Sequence, residues 1–166
     1  LHQFLLKPLD AHAQAAVAEA REQPRGDNNT NVIFELPAAA SGTRVSILGH
    51  HLHRMNDGQW LKDEVINSYM WLLQMRDNER VHRHNNSRTG DSVAKKPSHF
   101  FNSFFFEKLG NGEATANYDA VRRHAKKQVK STVPPGNIFG LDKLVIPINI
   151  KDSHWTLIVA FMQERR

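Results

Sequence analysis

Between residues 61 and 76 the apolar positions fall on one stripe. Leu61, Val65, Tyr69, Leu72 and Leu73 recur at helical spacing, and Ile66 and Met70 widen the band. The pattern predicts an amphipathic helix over Lys62–Arg76, with Asp63 and Glu64 in its first turn, where carboxylates complement the positive end of the dipole. A looser helical pattern covers residues 3–22: Phe4, Leu5, Leu6 and Leu9 lead into Ala-rich sequence closed by Pro24 and Gly26. Tyr118–Lys130 places Val121, Ala125 and Val129 on one helical face, with Arg122, Arg123, Lys126 and Lys127 opposite. That basic face reads first as solvated and only second as a binding patch.

Other segments carry the shorter rhythm of strands. Val32–Leu36 and Arg44–Leu48 are brief candidates, the latter with Val45 and Ile47 on one face, and Pro37–Gly42 between them is loop chemistry. Leu144–Ile150 is apolar and β-branched, and its Pro147 suits an edge or bulge. Lys151, Asp152 and Ser153 make a turn, after which His154 opens the run Trp155–Met162, which reads as a buried strand. Phe100, Phe101, Phe104, Phe105, Phe106 and Leu109 form an aromatic cluster of the kind that fills cores. Residues 77–98 differ from all of these. They set Arg80, Arg83, Arg88, Lys95 and Lys96 among polar residues and read as a solvated, flexible basic insertion. Helices precede strands without regular alternation and no long repeat is visible, so the class is α+β.

Composition narrows the chemistry. The chain has 166 residues, 40% hydrophobic, with no apolar run near the ~20 residues that span a bilayer. It is long enough for one domain or one part of a larger one. Its first residue is Leu1, so it reads as a portion cut from something longer, with no signal peptide in view. Twenty-two Lys and Arg against 17 acids leave a charge of +5, which permits an acidic partner without requiring one. The basic loop lacks interleaved aromatics for base stacking, so nucleic acid is not an expected partner. Cysteine is absent, which excludes disulfides, thiolate zinc sites and a cysteine nucleophile among these residues. His50, His51 and His53, and His82 and His84, form clusters without Cys or paired acids, so neither a metal nor another cofactor is expected.

His154 is the residue placed for chemistry. A base where a turn meets a strand is held by rigid backbone and still opens to solvent, although on composition alone an ordinary strand-end histidine fits as well. Four segments add context: Trp60-Leu-Lys-Asp-Glu-Val-Ile-Asn67, Phe101-Asn-Ser-Phe-Phe-Phe106, Tyr118-Asp-Ala-Val-Arg-Arg123, and Asp142-Lys-Leu-Val-Ile-Pro-Ile-Asn149 through His154-Trp-Thr-Leu157. In that order and spacing the chain resembles the ubiquitin-like-protein-specific (SUMO-specific) cysteine peptidases, from about Val45 onward.

The resemblance implies a papain-like (adenain-like) α+β fold and hydrolysis after the C-terminal Gly-Gly of a SUMO-type modifier, in precursors or isopeptide conjugates. It places the family's catalytic base on His154, where the imidazole shares a proton with a thiol and later protonates the departing amine. Trp60 and Trp155 match the pair that roofs a tunnel for the Gly-Gly tail, and Asp63 and Phe104 match positions that contact the modifier's folded surface. Each has a plainer reading as well: core packing for the aromatics, a helix-start charge for Asp63. Nuclear placement, with the cytoplasm second, is a family expectation.

The chain also departs from the pattern. Lys62 stands where Asn is common, Phe106 replaces the usual Tyr, and the 77–98 segment looks longer than usual. The family's Asp, Gln and Cys lie C-terminal to its His, and only 12 residues follow His154. Residues 1–166 are therefore expected to be the N-terminal part of one peptidase domain, inactive alone, with apolar strand surface exposed; the alternative is a relative that binds the modifier without cutting it.

Overall fold

A computed structural model describes residues 10–22, 30–36, 45–56, 58–90, 92–110, 118–129 and 137–162. It has helices α1 (Ala11–Glu22), α2 (Gly49–His53), α3 (Asp63–Asn86), α4 (Phe104–Lys108) and α5 (Tyr118–Val129). The strands are β1 (Val32–Leu36), β2 (Val45–Leu48), β3 (His99–Phe100), β4 (Lys143–Ile150) and β5 (His154–Phe161). The expected loops at 37–42 and the Pro24–Gly26 and residue 3–9 ends of the first helix lie outside the described residues.

Two small sheets organise the chain. β1 and β2 pair antiparallel, with Phe34 opposite Ile47 and Leu36 opposite Val45. The second sheet has the order β3-β4-β5, parallel between β3 and β4 and antiparallel between β4 and β5. This mixture of helices with separate sheets is the expected α+β class.

The aromatic cluster is core, as its density predicts. Phe101 stacks on Phe105 with ring centroids 3.9 Å apart, and Val129 and Leu141 close the cluster from α5 and from the lead-in to β4. Leu144 and Ile146 add one face of β4. Pro147 fits because of direction: the carbonyl of Val145 accepts the Phe101 N–H, so alternate residues of β4 face the β3 side. Two residues later that side has passed the end of β3, and the missing N–H of Pro147 leaves no ladder bond broken.

The central helix does not stop at Arg76 but runs ten residues further, to Asn86. No Pro or Gly interrupts 77–86, Arg83 pairs with Glu79, Gln74 donates to Asn78, and Val81 supplies a buried anchor. Of the segment that follows, residues 87–90 and 92–94 are exposed as expected, but its end at Lys95–Ser98 is held against the helix. Asn85 accepts from the Lys95 N–H (2.8 Å) and donates to its carbonyl (3.1 Å). Asp77 accepts from the Ser98 N–H at 2.6 Å, while Gln74 accepts from the Phe100 N–H (3.0 Å) and donates to the Ser98 carbonyl (2.9 Å). Side-chain amides of α3 thus do the work of a neighbouring strand.

β5 is not the buried strand that its apolar run predicts. Val145 on β4 is 6% exposed, but on β5 Leu157 is 50% and Phe161 67% exposed. β5 is an edge strand among the described residues, paired only with β4. An uninterrupted apolar run looks alike whether a strand is central or at an edge.

Candidate active site

His154 is the first residue of β5 and lies opposite Ile150 across the hairpin. The connection is tight: the Ser153 N–H donates to the Ile150 carbonyl at 3.1 Å, and its hydroxyl donates to the same oxygen at 3.0 Å. Lys151 and Asp152 both sit at positive φ (51° and 53°), the signature of a primed turn, whose twist matches that of paired strands. His154 is therefore carried on a fixed hairpin end and is exposed. Among the described residues no carboxylate bonds to its ring.

Trp155 joins distant parts of the chain. Its indole N–H donates to the carbonyl of Leu61 at 3.0 Å, across 94 positions of sequence. That bond fastens the start of β5 to the segment leading into α3. Trp60, next to Leu61, is 60% exposed, so the two tryptophans and His154 belong to one neighbourhood of the surface. The plain core reading of Trp60 is not met.

Asp63 opens α3. Lys62 before it has extended backbone and makes no side-chain cap bond, so the Asp63 carboxylate sits at the uncapped positive end of the helix dipole. Phe104 is at the start of α4 and is 44% exposed, apart from the core that its neighbours Phe101 and Phe105 form. It is tied to the same helix: the Ser103 N–H donates to Asn67 Oδ1 at 2.8 Å, and Asn67 lies one turn along α3 from Asp63. Residues at that spacing share a helix face, so Phe104 is attached on the flank that carries Asp63.

All five residues singled out in the sequence are thus linked through α3 and its lead-in. The linkers themselves escaped sequence reasoning. Leu61 contributes a main-chain carbonyl, which no residue type announces. Asn67 gave a faint signal, a polar side chain between Ile66 and Ser68 on the central helix. The histidine clusters do not converge: His50 and His51 meet edge to face, His53 contacts Asn56 and His82 contacts Asn86. Among the described residues no three His, Asp or Glu side chains gather as metal ligands would.

Residues 59–165 match the Ulp1 protease family, C-terminal catalytic domain. The chain is 32% identical over 159 residues to ubiquitin-like-specific protease 1A of Arabidopsis thaliana, a match covering 96% of this chain and 27% of that protein. It is 35% identical over 134 residues to sentrin-specific protease 3 of Mus musculus, covering 77% of this chain and 18% of that one. The chain therefore spans less than a third of the length of these curated relatives. A solved structure of the C-terminal Ulp1 protease domain, in complex with Smt3, the yeast ortholog of SUMO, superimposes with a TM-score of 0.57 at 22% identity. That alignment covers 93% of this chain and 53% of the solved one, and it shows the papain-like fold class of the Ulp1 domains.

Proposed function

The chain belongs to the Ulp1 protease family, and from that premise we propose that it forms the modifier-binding and general-base part of a SUMO-specific cysteine peptidase. The reaction is hydrolysis of the bond after the modifier's C-terminal Gly-Gly, in precursors or in isopeptide conjugates. One observation supports this reading above the others: the Trp155–Leu61 bond, which draws the His154–Trp155 end of β5 to the Trp60–Asp63 segment.

Each residue then has a task. Trp60 and Trp155 present flat indoles between which only backbone without side chains passes, as a Gly-Gly tail requires. Asp63 pairs with a cation on the modifier, and Phe104 offers its exposed ring to the modifier's surface. His154 takes the thiol proton and returns it to the leaving amine. The thiol is not among these 166 residues, since none is cysteine. We accordingly propose that the chain alone binds the modifier and does not cleave it. Nucleus, or else cytoplasm, is the placement that the resemblance suggests.

Two measurements test the proposal. Calorimetric titration with a SUMO-type modifier ending in Gly-Gly is expected to show binding, and Trp60→Ala or Trp155→Ala is expected to weaken it by about 10-fold or more, as anchor aromatics do. Absence of binding, or equal affinity for a modifier lacking the Gly-Gly, overturns the reading. A form of the protein containing a cysteine nucleophile is expected to be labelled by a modifier with a C-terminal electrophile and to lose labelling with His154→Ala. A parent that binds but carries no cysteine would instead establish the second reading, a binder that does not cut.

A further inference from the structure

A buried histidine stands behind the segment that carries Trp60 and Asp63. β2 passes into α2 without a linker, and His51, the third residue of that short helix, is 6% exposed. Its Nδ1 accepts the Leu48 N–H at 3.2 Å, which leaves the ring proton on Nε2. Nε2 in turn lies 3.9 Å from Oε2 of Glu64, the residue after Asp63. At that separation the contact is an electrostatic one between N–H dipole and carboxylate rather than a direct hydrogen bond. Lys62 and His50 are the other charged or titratable groups that act on the ring.

The first turn of α3 has reason to need such a contact. No side chain caps it, so its direction is set by what grips it from outside. On one side the Trp155 indole holds the Leu61 carbonyl. On the other, His51 reaches Glu64 from a corner fixed by the β1–β2 sheet. We propose that His51 is a positioning residue: through Glu64, the β2–α2 corner sets the orientation in which Trp60 and Asp63 meet the modifier. The proposal rests on the binding role given above to Trp60 and Asp63.

The two ring nitrogens have separable duties, which makes the test specific. His51→Asn keeps an acceptor for the Leu48 N–H but loses the reach to Glu64. His51→Gln keeps an N–H toward Glu64 but loses the acceptor. The protein labelled with 5-fluorotryptophan gives one 19F resonance for each of Trp60, Trp71 and Trp155. With His51→Asn the Trp60 resonance is expected to move, Trp71 to stay, and affinity for a SUMO-type modifier to fall about 3- to 10-fold, in the range of contact couplings. With His51→Gln stability is expected to fall while the Trp60 resonance and the affinity are kept. Glu64→Ala should reproduce the His51→Asn pattern without touching α2, and Glu64→Gln, which keeps an acceptor, should not. An unmoved Trp60 resonance in both His51→Asn and Glu64→Ala overturns the proposal. Failure of the unsubstituted protein to bind the modifier overturns the functional reading instead, and the Trp60 resonance still decides the role of His51.

Discussion

His124 lies half-buried on α5, with Nε2 3.3 Å from Asn102 Oδ1 and its ring tilted over Phe105. Burial pushes its pKa below 6.5, and the nearby charges of Lys108 and Lys127 push the same way. For His51 burial again lowers the pKa and outweighs the opposite pull of Glu64, with His50 and Lys62 assisting. Both rings are harder to protonate folded than unfolded, so the unfolded chain binds more protons just below pH 6.5. Their contribution is complete above the unfolded value and is lost as the pH falls through the lowered folded values. The urea midpoint is thus expected to drop between about pH 7 and about pH 5. The double variant His51→Asn/His124→Gln should flatten that drop; an unchanged slope would place its origin in other groups. Stability also depends on the hairpin before His154. Asp152 holds a left-handed conformation that glycine adopts without steric cost. Asp152→Gly is expected to raise stability by about 0.5–1 kcal/mol in equilibrium denaturation while leaving modifier affinity unchanged.

Elements are joined here largely by polar side chains. Gln74 brackets Phe100 and Ser98, and Asn85 brackets Lys95, so the outer side of β3 and the chain before it are paired with a helix rather than a strand. Gln74→Ala removes both partners of a part-buried backbone segment and is expected to cost about 1–3 kcal/mol. Hydrogen exchange would show it directly, since the Phe100 amide should lose protection while the amides of α5 keep theirs. These polar links also explain what was legible beforehand. The stripe from Leu61 to Leu73 announced α3, because apolar spacing registers the face that packs. Its last ten residues were hidden, because Asp77 and Asn85 engage backbone groups at Ser98 and Lys95 and polar sequence looks the same solvated or engaged. The site divides in a similar way. For the proposed site, motifs name Trp60, Asp63, Phe104, His154 and Trp155, whereas the links through the Leu61 carbonyl, Asn67 and His51 emerge only from geometry.

For the molecule as a whole, the decisive contrast is between the two neighbouring strands. β4 buries Val145 and Ile148, while β5 presents Leu157, Val159 and Phe161 on the face that Trp155 also occupies. Strand alternation makes this one apolar strip, and β5 has an unpaired edge among the described residues. Proteins blunt such edges with charge, and here Lys143, opposite Phe161 in the ladder, lies over its ring at 5.9 Å. The 166-residue chain is therefore expected to self-associate with rising concentration, visible in light scattering. Leu157→Lys/Phe161→Glu should shift it toward monomer, because the strip would be broken and the introduced carboxylate would face Lys143 in the ladder. Both positions are at least half exposed, so the loss in stability should stay near the ~0.5 kcal/mol typical of surface changes. Phe101→Ala sets the scale for comparison: it empties the centre of the buried cluster and should cost about 3–5 kcal/mol. If instead the paired strip substitution unfolds the chain as Phe101→Ala does, the strip is part of the core that holds β5 in place and not a free surface.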